Sequence, residues 1–371
     1  TEIYTLSLHD ALPISNDADP DTSIFVRRIE LKAVGQFWMD SISYRFQGGY
    51  AGNQTDGSFA VLDAYVNYKA QGELIQFRLG QFRVPFLREA MLGSSDLFFI
   101  DNSLLYVKTR ALNDRDAGIM MHGLYGLFSS NQNIGYAFGA FDGRGINGNY
   151  PGAKGGFDPS SAFSGKAIME GELLVAGRAF LYIGQSPKRA MTFEDFPTKG
   201  LERGNIGLEV EFGLGAATVK GTEGDMTNLR VPDAASDPLN PSVPFNRAFT
   251  ADFAIRLFNS IEAQMEYIIN ARSRTGDASM PESTYDGLKT QVTYNVSQAV
   301  GSFGVGISLF NPDSRVDYNS IREFRVGWLK YIGGRGHANK VSVNITETQT
   351  ERSASRTEIE RKIAVQWQTN F

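Results

Sequence analysis

Polar and apolar side chains alternate along most of this chain, from about Ser23 to its last residue. The clearest run is the final one. In residues 361–371, Lys362, Ala364, Gln366, Gln368 and Asn370 fall on one face, and Ile363, Val365 and Trp367 on the other. Thr369 is the polar member of the second face, and the chain stops on Phe371. Alternation at period two predicts a strand with one wet and one apolar face. Comparable runs occupy residues 24–35, a partner ending near Tyr50, 59–69, 73–83, 115–125, 133–141, 162–171 and 174–184. Others lie at 204–212, 216–220, 248–258, 261–271, 284–295, 301–310, 321–331 and 338–348. Gly213-Leu214-Gly215 is read as the turn between two of them. Residues 85–114 break the rhythm as a long loop, and the four prolines of 221–246 argue against a strand there.

Connections alternate between short and long. Short ones sit near Gly35, Ala70, Ser130, Glu172, Leu214, Asn259, Gln298 and Gly334. A meander of roughly ten-residue strands, with short turns on one side and long loops on the other, is the pattern of an outer-membrane β-barrel. An aromatic residue closing the last strand fits the girdle at a membrane boundary. A soluble sandwich would show Greek-key crossings, and a propeller would show an internal repeat.

Parity sharpens this reading. A single-chain barrel begins and ends on the periplasmic side with an even number of strands. About seventeen strands are counted here, so one is expected to be missing at the N-terminus, giving about eighteen, with about sixteen as the alternative. Residues 1–15, TEIYTLSLHDALPIS, have neither the basic start nor the apolar core of a secretory signal, and they lack the regular alternation of residues 24–35. They read as translated sequencing-adapter read-through, a non-native peptide outside the fold. Residues 16–371 are then the barrel, and the last strand is expected to close imperfectly against residues 24–35.

Composition adds little to the pattern but removes several alternatives. Cysteine is absent, which excludes disulfides, zinc thiolate sites and cysteine nucleophiles. The net charge of −5 is spread through the chain, with no basic block for nucleic acid. No apolar run approaches the length of a transmembrane helix, which says nothing against barrel strands.

Four stretches carry a family resemblance: Phe25-Val-Arg-Arg28, Leu62-Asp-Ala-Tyr-Val66, Phe77-Arg-Leu-Gly-Gln-Phe-Arg-Val-Pro-Phe86 and Arg115-Asp-Ala-Gly-Ile119. Together they resemble the phosphate-selective porin O and P family, most specifically over Gly80–Phe86. The resemblance implies a trimeric outer-membrane barrel, in contact with lipid and lipopolysaccharide, that passes small anions such as phosphate by diffusion. It implies no cofactor. The hairpin over residues 205–220 is additional to the family pattern.

The inward phase of each strand should line a watery channel. Its basic members are Arg28, Lys32, Arg78, Lys166, Arg178, Arg256, Lys289, Arg325, Lys340 and Lys362. Its acidic members are Glu30, Asp63, Glu170, Glu209, Glu211, Asp252, Glu262, Glu266 and Glu323. The two sets nearly cancel, which predicts weak selectivity. The loop 85–114 is the candidate constriction, with Arg78, Arg83, Arg88, Lys108 and Arg110 on or beside it. Arginine suits phosphate because its planar fork stays charged and donates two hydrogen bonds. The plainer role for these arginines is pairing with Asp96, Asp101, Asp114 and Asp116 to hold the loop. Carboxylates two or four apart, Glu209 with Glu211 and Glu262 with Glu266, can bind a cation, but more often pair with bases across strands.

No catalytic residue is assigned and no metal site is expected. A membrane hydrolase would need Ser, His and a polar orienter converging at one strand end. His122, with Ser129 and Ser130 nearby in sequence, does not supply that. The competing readings are this hydrolase and a non-conducting structural barrel.

Overall fold

The computed structural model describes residues 4–14, 23–37, 41–51, 59–93, 96–109, 115–127, 132–142, 173–184, 207–220, 247–258, 260–272, 283–297, 299–312, 319–332, 339–353 and 355–370. The described strands are β1 (Tyr4–Ile14), β2 (Ser23–Phe37), β3 (Ile42–Ala51), β4 (Phe59–Gln71), β5 (Ile75–Arg83), β6 (Arg115–Gly126), β7 (Gln132–Phe141) and β8 (Leu173–Ile183). They continue with β9 (Glu209–Lys220), β10 (Arg247–Leu257), β11 (Ile261–Arg272), β12 (Ser283–Ser297), β13 (Gly301–Asn311), β14 (Ile321–Tyr331), β15 (Asn339–Ser353) and β16 (Arg356–Asn370). Two short helices, α1 (Arg88–Met91) and α2 (Leu104–Lys108), lie between β5 and β6. Each strand pairs antiparallel with its neighbours in sequence, and β1 pairs with β16, so the sheet is a closed up-and-down barrel.

The period-two pattern decides which face of the sheet is inside. On β13, Ser302, Gly304, Ser308 and Phe310 are buried, while Phe303, Val305, Ile307 and Leu309 are each at least 40% exposed. Apolar side chains exposed on an outer face, with polar ones shut inside, invert the arrangement of a water-soluble fold. That outward run spans about 20–25 Å at the rise of an extended strand, the height of a barrel's apolar band. On β15 and β16 the band ends sharply. Ile345 faces Ile363, and the next outward pair is Glu347 with Arg361, whose Nε lies 2.8 Å from Glu347 Oε2. On the short-turn side, Trp328 and Trp367 face outward, and Trp328 Nε1 donates to the carbonyl of Val300 at 2.9 Å.

Four sequence expectations are corrected. First, Tyr4–Ile14 lies in the wall, paired with β16 from Thr5↔Asn370 to Ile14↔Arg361 and with β2 from Tyr4↔Leu31 to Ala11↔Ser23. The last strand therefore closes on β1 and not on residues 24–35. Backbone ladder bonds need no side-chain alternation, and Pro13 lies beyond the last β1–β2 rung, where its missing N–H costs that ladder nothing. Second, residues 204–212 and 216–220 do not form a hairpin, because β9 runs unbroken through Gly213-Leu214-Gly215. These glycines clear space inside the barrel: a Cβ on Gly213 would strike Arg178 and Asp252, and one on Gly215 would meet Thr250 and the carbonyl of Phe86. Third, β8 runs opposite to its expected direction, so β8 ends and β9 begins on the side of the short turns. Fourth, the last strand begins earlier than expected, at Arg356. The expected strand at 162–171 and the residue Phe371 lie outside the described residues.

Candidate functional site

The segment between β5 and β6 folds into the barrel. Phe86, Leu87, Ala90 and Leu105 are fully buried and join one apolar cluster with the inward side chains Phe82, Met120, Phe141, Ile268, Tyr285 and Phe310. Further along, Phe98 and Phe99 stack edge to face at 5.0 Å and pack on Leu329. Inward glycines make the room. Phe98 fills the space of an absent Cβ on Gly304, Phe99 that on Gly306 and Gly327, and Leu105 that on Gly287. The loop thus reaches from β5 across to the opposite wall.

Wall carboxylates fasten it there. A helix leaves its first N–H groups without internal partners, so an acceptor placed at its start is stabilising. Glu266 of β11 accepts the backbone N–H of Arg88 (2.5 Å) and of Glu89 (3.3 Å) at the start of α1. Glu323 of β14 accepts that of Leu104 (2.9 Å) at the start of α2. Ser103 caps α2 from its own side chain and donates its N–H to Glu89 at 2.7 Å. Lys289 of β12 sits 2.8 Å from Glu89. Burial alone would push the Glu89 carboxyl up, but Lys289 and Arg325 outweigh it and hold it below the usual carboxylate range. Lys340 donates to the carbonyl of Leu97, Arg325 to that of Asp101, and Lys362 pairs with the Asp101 carboxylate at 2.8 Å.

The arginines named from the sequence divide into two groups. Arg88, Arg178, Arg256 and Arg325 are buried in ion pairs. Arg88 lies 3.5 Å from Glu211 and 3.2 Å from the Gln264 carbonyl. Arg178 holds Asp252 with both terminal nitrogens and Glu211 at 3.1 Å. Arg256 joins Glu209 (2.7 Å) and Glu262 (3.4 Å), and Arg325 joins Glu323 (3.3 Å) while lying 4.4 Å over the Phe99 ring. Of the paired glutamates, Glu209, Glu211 and Glu262 are therefore engaged by bases across the strands, and Glu266 by loop N–H groups. Arg88 pairs with the wall glutamate Glu211, where the plainer reading expected the loop aspartates.

Lys32, Arg78 and Arg83 form the second group, on β2 and β5. Lys32 is half-exposed beside Glu30 at 3.6 Å, and Arg83 donates to the carbonyl of Ala90. Lys108 is half-buried on α2. Arg28 is described by its backbone alone, opposite Ser7 and Ala51. Arg110, Asp114, Lys166, Glu170, Ser129 and Ser130 lie outside the described residues. Sequence reasoning missed Arg45 and Arg115, which hold Asp63 at 3.2 and 2.6 Å. The signal for Arg45 was present, since Tyr44 and Phe46 face out while Arg45 and Gln47 face in. On this wall the side chain of Arg45 is 34% exposed and that of its partner Asp63 only 6%.

Arg78 has a built surrounding. Its guanidinium lies 4.3 Å over the Tyr65 ring and 5.5 Å from Phe82. Its Nε donates to Asn67 Oδ1 at 3.4 Å. Asn67 donates its amide N–H to Gln76 (2.8 Å), and Gln76 donates to the Glu73 carboxylate (3.0 Å). An ionised carboxylate only accepts, so Glu73 fixes both amide orientations and turns the Asn67 oxygen toward Arg78. The same oxygen is 2.6 Å from His122 Nε2, which therefore carries the ring proton. Arg78 makes no ion pair among the described residues.

Gly80, opposite Tyr65, lets the strands meet there. Its φ is +128°, and a Cβ would strike the carbonyl of Ala64. Gly80→Ala is expected to destabilise the barrel by about 1–3 kcal/mol, read as a lower urea midpoint in lipid vesicles. An unchanged midpoint would contradict the strain assigned to this position.

The family model described as phosphate-selective porin O and P matches residues 9–152, which contain the four stretches that carried the sequence resemblance. Among curated proteins none matches the chain in sequence. Solved structures with the same fold include the anion-selective porin from Comamonas acidovorans, at 11% identity and TM-score 0.60, covering 100% of this chain and 99% of that one. The outer membrane channel DcaP of Acinetobacter baumannii aligns at 8% identity and TM-score 0.58, covering 100% and 96%. OmpT of Vibrio cholerae, in trimer form, aligns at 12% identity and TM-score 0.52, covering 99% and 98%. The likeness to all three is one of fold.

Proposed function

We propose that this chain is a porin of the bacterial outer membrane, passing small hydrophilic solutes by diffusion and favouring anions. The outward apolar band and closed ladder support a membrane-spanning barrel, and the family match and shared fold support a channel. Phosphate is among the family-implied cargoes. Assembly as a homotrimer follows the trimer form of the Vibrio OmpT.

One observation carries the preference for anions. Among the described residues the carboxylates of this wall are consumed: Glu209, Glu211, Asp252, Glu262, Glu266 and Glu323 are buried, each bonded to a base or to a loop N–H. On the wall formed by β2–β4 the side chains of Lys32 and Arg45 are partly exposed, while those of their partners Glu30 and Asp63 are buried. A passing ion meets the charges that still face water, because low-dielectric walls and nearby countercharges cancel the rest. The lumen that looked neutral by sum is therefore positive along the β2–β4 wall. Purified protein in a planar bilayer under a salt gradient should show a reversal potential displaced toward chloride. A displacement toward the cation overturns the preference, and absence of conductance overturns the porin.

A further inference from the structure

Resting on that reading, we infer that Arg78 and Tyr65 form a subsite for a monocarboxylate with an aromatic or other apolar body, in preference to inorganic phosphate. Arg78 is an inward cation with no carboxylate partner among the described residues, and Asn67 takes its Nε. The remaining donors are its two terminal nitrogens, a two-pronged fork that fits the two oxygens of one carboxylate. A tetrahedral polyanion needs more donors than that to replace its water. The hydrogen-bonded neighbour of Arg78, Asn67, does not supply one. The relay ending at Glu73 aims the oxygen of Asn67, not an N–H, at the guanidinium, and an oxygen there repels a second anionic oxygen.

The rings add a second discrimination. Tyr65 and Phe82 lie 4.3 and 5.5 Å from the guanidinium carbon, and Tyr65 stands edge-on to Phe82 at 6.0 Å. Apolar surface beside the charge raises the cost of stripping water from a dianion and favours a ligand that brings apolar surface of its own.

Block of chloride current through the purified channel tests this, with benzoate, acetate or phosphate added at constant ionic strength. Benzoate should half-block at a concentration roughly tenfold below phosphate or acetate. Arg78→Gln should abolish that difference. Arg78→Lys, which keeps the charge but lacks the fork, should abolish it too. Tyr65→Leu should raise the half-blocking benzoate concentration about three- to tenfold, as expected for losing one ring–cation contact. Each variant is scored only where its barrel resists unfolding in cold SDS as the parent does. Phosphate blocking as well as benzoate, or benzoate block indifferent to Tyr65→Leu, overturns the subsite while leaving an anion-selective porin in place. Loss of conductance or cation selectivity in the parent overturns the porin reading itself, and the subsite with it.

Discussion

Replacing residues 88–108 by a short glycine–serine linker is expected to raise single-channel conductance several-fold and to move the reversal potential toward zero. The loop does two things at once. It fills the lumen from β5 to the far wall, so its removal widens the path. It also occupies the acceptors of Glu266 and Glu323 and buries Glu209, Glu211, Asp252 and Glu262. Without it, those carboxylates face water together with Arg178, Arg256, Lys289 and Arg325, and the lumen approaches the near-balance of its inward charges. Fields along a channel sum over charges that solvent reaches, so selectivity should fade rather than invert. Excision uncovers apolar wall at Met120, Ile268 and Phe310, so folding is checked first by resistance to cold SDS. A folded, excised barrel that keeps the parental reversal potential would show that the β2–β4 wall is not what selects.

Arg178→Ala should be the most damaging single substitution on the covered wall, at about 3–5 kcal/mol. Arg178 and Asp252 have side chains only 1% and 0% exposed, and Glu211 shares the same guanidinium. Truncating the arginine leaves two buried carboxylates facing each other with Arg88 as their remaining base. The loss exceeds the worth of the pair itself, because most of it is the cost of uncompensated buried charge. Replacing both partners, as Arg178→Met with Asp252→Leu, should therefore be milder than Arg178→Ala alone. Urea unfolding in vesicles, followed by tryptophan fluorescence, compares the two. A single variant within about 1 kcal/mol of the parent would contradict the burial assigned to this cluster.

How much of this was legible depended on the range of the interaction involved. The outward run Phe303, Val305, Ile307 and Leu309 is a local pattern, and it identified β13 directly. The loop showed itself as an interruption of that pattern. Its fastening did not, because Arg88 and its acceptor Glu266 are 178 residues apart, and Leu104 and Glu323 are 219 apart. Gly213 and Gly215 were misread because glycine serves two ends, permitting turns and clearing space, and only the packing of Arg178 and Phe86 separates them. The summed lumen charge misled for a related reason. Summation treats Glu211 and Lys32 alike, although one is buried in an ion pair with Arg178 and the other is partly exposed. Arg45 was readable from Tyr44 and Phe46, which face outward on either side of it.

The apolar cluster joining Phe86, Leu87 and Leu105 to the wall has a mechanical consequence. A segment packed on Phe82, Phe141, Tyr285 and Phe310, and tied at both helix starts, shifts only when that packing opens as a unit. Such openings are slow beside the passage of an ion. Each solute therefore meets an aperture of fixed bore, and is sorted by whether it fits and what it touches rather than by when it arrives. Half of the barrel behaves as a solid, and the other half as a pipe.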